Sequence, residues 1–201
     1  MGIIKTALEI ALEKTETVKS DKSSIDQFNA KQNGKKLANS FLSGDADIEE
    51  ELKKAPADTV KSFRRGIFDV LVAQLILPGS KEDEKRLEKL GRGLSALIKH
   101  KEFPAMYGQL TQIFAQYLQE SAQYEQMIRQ QYAPKLRQKE EEVSRRMGRE
   151  VRIDPFQDPE FIAFYNQHMS ALKGNYEPVV EQAREEAGRM FEEVSVSEKV
   201  R

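Results

Sequence analysis

The chain has 201 residues, of which 39% are hydrophobic and 32% charged, with a net charge of −1 and no cysteine. The length admits one large domain or two small ones, and the near-neutral balance provides no global field to draw nucleic acid or anionic lipid. Lack of cysteine excludes disulfides, thiol nucleophiles and cysteine-held zinc or iron–sulfur centres, and the low apolar share fits elongated helices with wide solvated faces better than a tight α/β core.

The opening, MGIIKT, fits the permissive N-myristoylation pattern at Gly2 and Thr6, for which a glycine behind the initiator methionine is the simpler account. Met1 to Val18 carries Lys5, Glu9, Glu13 and Lys14 among its apolar residues, unlike a secretory signal. The spacing instead predicts a helix over Ile3 to Val18. A polar stretch, SDKSSIDQ, follows. A weaker helix then passes through Phe28, Leu37, Phe41 and Leu42, with Asn33-Gly34 as a candidate break and Ser43-Gly44 as its end. Asp47, with Glu50 three residues on, resembles a capping box opening a short helix to Ala55.

Pro56 suits the first turn of a helix running to Leu77, where Pro78-Gly79 stops it. Its apolar run IFDVLVAQLIL is too short to span a bilayer, which takes about 20 residues. Asp69 within that run is expected to pair with Arg65 one turn back. Ser80 offers an N-cap for a helix to about Lys101, with Glu82 and Asp83 in its positive first turn.

Pro104 opens a long helix to Met147 that contains Pro134. Tyr107, Leu110, Phe114, Tyr117, Ser121, Tyr124 and Ile128 step by three and four, the spacing of a coiled-coil seam. Gln109, Gln112, Gln116, Gln119, Gln123, Gln126 and Gln130 occupy the opposite side, beside Gly108, Ala115 and Ala122. Two readings compete for this amide face. It is a wet face of good helix formers, or it meets another helix, where amides bond without the desolvation cost of ions.

GREVRIDPFQDP forms the longest connection, and Asp158-Pro159-Glu160 starts a final helix towards Val194. The two long helices are expected to form an antiparallel hairpin about residues 153 to 155. Pro134 and Pro178 would then lie at similar heights, each two residues after a tyrosine (Tyr132, Tyr176) and each a site for a kink or a break. The last helix ends acidic (Glu177, Glu181, Glu185, Glu186, Glu192, Glu193), whereas the far end of the long helix is basic, a complementarity that two chains could use. The end, SVSEKVR, reads as frayed.

Chemistry is sparse. His100 and His168 lack the Glu-x-x-His pairing of di-iron bundles. H-E-x-x-H, P-loop and G-x-S-x-G motifs are absent. The best polar cluster is Tyr165, His168 and Tyr176 on one helix stripe, able to orient a small ligand in a bundle cavity, though a satisfied core histidine is the simpler account. Arg145, Arg146, Arg149 and Arg152 raise the question of nucleic acid, but Glu140, Glu141 and Glu142 intervene and no aromatic stands near for stacking.

TALEIALEKTE, followed by KQNGKKLANSFL, resembles the N-terminal region of an uncharacterised family of bacterial all-helical proteins. The resemblance implies a bacterial, cytoplasmic, all-helical protein and transfers no activity to any residue. The expectation is an all-α protein with an N-terminal region of shorter helices over 1–102 and a long, proline-kinked antiparallel hairpin over 103–201. It is expected to act as a non-enzymatic cytoplasmic scaffold or adaptor through protein contacts, self-associating, with the Tyr/Gln helix and the hairpin arms as its working surfaces; the partner of the glutamine face is another helix of the same chain or a second copy. No cofactor, metal, catalytic residue or membrane contact is expected. A ligand-binding or enzymatic bundle using His168, Tyr165 and Tyr176 is the alternative, followed by a peripheral nucleic-acid binder using Arg145, Arg146 and Arg149.

Overall fold

The computed structural model describes the backbone of residues 7–197 and the side chains of 22–195. Gly2, Thr6, the first residues of the expected opening helix and the final residues 198–201 lie outside that range. Six α-helices, two 3-10 turns and no strand occur among the described residues. The helices are α1 (Ala7–Ser43), α2 (Ile48–Lys54), α3 (Val60–Ala73), α4 (Glu84–Ile98), α5 (Phe103–Met147) and α6 (Pro159–Ser197). No helix among the described residues is long and apolar enough to cross a membrane.

The chain groups into two compact units. One takes in the chain up to Leu75, Arg86–Phe103 and the chain from Ala187; the other takes in Ile76–Lys85 and Pro104–Glu186. This grouping differs from a single cut between 102 and 103, because Ile76–Lys85, the connection into α4, joins the hairpin unit and the end of α6 joins the first unit.

In the first unit the helices expected on either side of SDKSSIDQ are one continuous α1, so this helix is not among the shorter ones. Asn33-Gly34 does not break it. Gly34 serves packing instead, since a Cβ there would lie 2.1 Å from the Phe63 carbonyl oxygen of α3. Gly66 answers from α3, where a Cβ would lie 2.1 Å from the Lys31 carbonyl oxygen. Backbone meets backbone at this crossing, which only residues without a side chain permit. Lys31 and Arg65 then close on Asp69 at 2.8 and 2.7 Å, and Arg65 also bonds Glu192. The expected Arg65–Asp69 pair is therefore present, with a second cation beside it. Burial pushes the Asp69 carboxyl up, but the bonds from Lys31 and Arg65 outweigh it and hold the group below its ordinary range.

Gly44, at φ 102°, ends α1 as expected, with its amide and that of Asp45 returning to the Ser40 carbonyl. Asp47 caps α2 by accepting from the Glu50 amide at 3.0 Å. The next helix is shorter than Pro56 to Leu77. Pro56 sits in a turn that precedes α3, and beyond Ala73 the chain tightens into i→i+3 bonds at Gln74 and Leu75. Pro78 then favours an extended Leu77. Ser80 stands at the N-cap of a 3-10 turn, Lys81–Asp83, and makes no side-chain capping bond, while Asp83 accepts from the Gly79 amide at 2.7 Å. α4 stops at Ile98, before Lys99 at φ 44°.

Cations from neighbouring helices bond carbonyls where three helices end. Lys89 bonds the Leu42 carbonyl of α1 at 3.0 Å, Arg86 that of Gln74 after α3 at 3.0 Å, and Arg64 that of Leu97 in α4 at 2.7 Å. Positive charge is favoured at these ends, where carbonyls lack helical partners. The unit's core includes Ile67, Leu71, Leu90, Leu94 and Leu97, with Phe68 stacked on Phe191 at 4.2 Å.

Candidate functional site

In the second unit, α5 and α6 face each other through paired rings. Tyr132 meets Phe161 at 5.3 Å, Tyr124 meets His168 at 6.3 Å and Tyr117 meets Tyr176 at 5.1 Å. One number falls as its partner rises, so the helices run antiparallel. Each pair is centred near residue 146 or 147, not at 153 to 155. The displacement has a visible cause. α5 runs on past the start of α6, and the connection folds back along it, with the Val151 amide on Ser144 Oγ at 2.8 Å and the Ile153 amide on Glu140 at 2.9 Å. In this register Pro134 lies opposite the start of α6, and Pro178 lies opposite the region near Ala115. The prolines are thus at different heights, and each is inside a continuous helix.

Two opposite sides of α5 result. Tyr107, Leu110, Phe114, Tyr117, Ile128 and Tyr132 are buried. Tyr117, Ile128 and Tyr132 share a core with Phe161, Met169 and Leu172 of α6. All seven glutamines (Gln109, Gln112, Gln116, Gln119, Gln123, Gln126 and Gln130) are exposed, as are Gly108, Ala115 and Ala122. Gln116 donates to Glu120 at 2.9 Å along its own helix. A Cβ at Gly108 would meet nothing within 4 Å. No other helix among the described residues covers this ridge.

The expected polar cluster is divided. Tyr165 lines a groove of about 620 Å³ with Tyr117, Ser121, Asn166, Ser170 and Lys173, beneath Ile76–Gly79. His168 and Tyr176 are not in that lining. His168 lies against Phe164 at 4.4 Å and faces Tyr124. Tyr176 packs on Tyr117, and its hydroxyl is pushed up to about 12 by burial and by its bond to the Glu120 carboxylate. Burial also raises Tyr165, aided by Glu125 and opposed by Arg129.

The strongest polar constellation was hidden from sequence reasoning. Asp158, only 5% exposed, receives Lys139 Nζ at 2.7 and 2.9 Å, the Tyr132 hydroxyl at 2.9 Å and the Glu160 amide at 3.0 Å. Glu160 adds Lys139 at 2.6 Å and Lys135 at 2.9 Å. Burial alone would raise the Asp158 carboxyl, but Lys139, Tyr132 and the Glu160 amide outweigh it and hold it below its ordinary range. Lys139 and Lys135 pull Glu160 down to about 2. Both Asp158 oxygens are occupied twice, so this group caps α6 and ties it to α5. Sequence reading caught only its backbone role, as the start signal Asp158-Pro159-Glu160. The tie to Lys139 needs the folded-back connection.

At the far end of α5, Arg145 and Arg146 face Glu141 and Glu142 one turn back, at 3.6 and 2.5 Å, and Arg152 faces Glu150 at 3.4 Å. Their positive charge is largely answered locally. The acidic end of α6 is partly occupied as well, with Glu192 on Arg65 and Glu193 on Arg189 and His100.

Residues 49–188 match the sequence pattern of a family of unknown function, DUF6657. The chain belongs to this family. The match takes in all but the first residue of α2, the whole of α3 to α5 and most of α6, and with them the whole ridge, while TALEIALEKTE and KQNGKKLANSFL lie before it. No curated protein and no solved structure matches the chain.

Proposed function

We propose that this member of DUF6657 is a non-enzymatic scaffold or adaptor that works through protein contacts in the bacterial cytoplasm, with the glutamine ridge of α5 as its working surface. The observation that carries this reading is the contrast between the two sides of one helix. The aromatic side is buried, and the amide side, flanked by exposed Gly108, Ala115 and Ala122, is open. Exposed faces elsewhere carry ion pairs such as Glu142–Arg146 and Arg189–Glu193. A ridge of amides and small residues costs less desolvation to cover than an ionic face, provided that its amides are hydrogen-bonded, and allows close backbone approach.

The test is photo-crosslinking in cells from a benzophenone amino acid placed at Gln116, against a control at Glu141 on the charged end of α5. Protein adducts from position 116 and not from 141 support the reading. Equal adducts from both, or none from 116, overturn it.

The groove lined by Tyr117, Tyr165 and Lys173 favours a second reading, a small-ligand site. Thermal-shift screening against Tyr165→Phe and Lys173→Ala variants tests it: stabilisation by a compound, lost in both variants, would favour this reading over the scaffold.

A further inference from the structure

We infer that the ridge pairs with the same ridge of a second copy of this chain, antiparallel, about a two-fold axis near Tyr117. This inference rests on the ridge being a protein-contact surface and names its partner. Six exposed residues run along the middle of the ridge: Gly108, Gln112, Ala115, Gln119, Ala122 and Gln126. Small and long side chains alternate, and the steps are four, three, four, three, four. The spacing reads the same from either end, while the order of sizes reverses.

That reversal decides the orientation. When two copies run antiparallel about a point near residue 117, Gly108 faces Gln126 of the second copy, Gln112 faces Ala122, and Ala115 faces Gln119. A long amide enters the space over a small residue at every layer, which is knobs-into-holes packing. Parallel copies would set small against small and amide against amide, leaving gaps and crowding by turns. A two-fold axis also makes one patch its own complement, which is what an isologous dimer needs.

Charge agrees with the same alignment. None of the six ridge residues is charged. On one flank Gln109 faces Gln123 of the second copy and Gln116 faces its own counterpart, so amides can bond amides. On the other flank Glu125, already held by Arg129 at 2.8 Å, faces Thr111 of the second copy, and Leu118 meets Leu118. No like charges are opposed. The strip is about 27 Å long and about 10 Å wide, roughly 300 Å² of footprint per copy, short of the roughly 800 Å² per partner in a standard stable interface. The ridge therefore supports a reversible dimer that forms as concentration rises.

The natural chain has no cysteine, so single-cysteine variants report orientation without background. Sedimentation equilibrium of the full chain from ~10 µM to ~1 mM should show the mass rising from 23.0 kDa towards twice that value, with a dissociation constant in this window. Under mild oxidation Gln116→Cys should form a disulfide dimer. Gln109→Cys and Gln123→Cys should link when mixed, at least tenfold faster than either links to itself. The double variant Ala115→Glu/Gln119→Glu crowds four carboxylates around the axis and should weaken the dimer at least tenfold, with its helical circular dichroism retained. A monomer at every concentration overturns the inference, as does Gln109→Cys linking to itself as fast as Gln116→Cys, the mark of a parallel pair. Cellular crosslinks from position 116 that reach only a different protein also overturn it, while leaving the contact reading intact.

Discussion

Glycine on a helix surface has opposite outcomes in two regions of this molecule. At Gly34 and Gly66, α1 and α3 approach until a single added carbon would sit 2.1 Å from a carbonyl oxygen. At Gly108 on α5 the same carbon would touch nothing within 4 Å. The first is a closed joint inside one unit, and the second is an open surface. Polar groups divide likewise. Asp158 has both oxygens occupied in a buried tie between α5 and α6, whereas the ridge glutamines face solvent. Small and polar residues are thus spent on internal joints in one region and left available in another.

The sharpest way to break the comparison is to add one carbon at each site. Gly34→Ala and Gly66→Ala drive a methyl group into backbone that cannot rotate away, and each should lower stability by about 3 kcal/mol or more, measured by urea unfolding. Equal stability in either variant would mean that the helices do not meet there. Asp158→Ala should cost roughly 2–4 kcal/mol through loss of the cap and of the buried bonds to Tyr132 and Lys139. The same tie gives an acid signature. Asp158 and Glu160 are held below their ordinary range in the folded chain, Glu160 at about 2. Their contribution is complete above the unfolded values near pH 4 and is lost as pH falls towards 2. The melting temperature of the natural chain should drop across that window, and the drop should be smaller in Asp158→Ala. Gly108→Ala marks the small end of the scale with the opposite sign. It should raise monomer stability by about 1 kcal/mol, because alanine is the better helix former and nothing stands in its way.

Helix type and the limits of α2, of α5 and of the start of α6 were legible because they are local. Pro104, the three-four aromatic spacing and the Gly148 that follows Met147 suffice for α5, and Asp158-Pro159-Glu160 suffices for the start of α6. The two sides of α5 were legible for the same reason, since helical period alone sorts glutamines from aromatics. Gly34 misled because a glycine reads as a break unless the opposing glycine is known, and Gly66 lies thirty-two residues away in the chain. The hairpin centre misled because a connection's midpoint predicts register only when both helices stop at it, and α5 does not.

The sequence by itself therefore determined the all-helical class, the two long helices α5 and α6 and the division of α5 into an apolar side and an amide side. Only the tertiary structure decided that Gly34 joins helices, that Lys139 and Tyr132 meet Asp158, that Tyr165 parts from His168, and that the amide side is left uncovered among the described residues. The first set depends on period and propensity along a few turns. The second depends on which distant surfaces come together, and burial and pairing of that kind are properties of two segments at once.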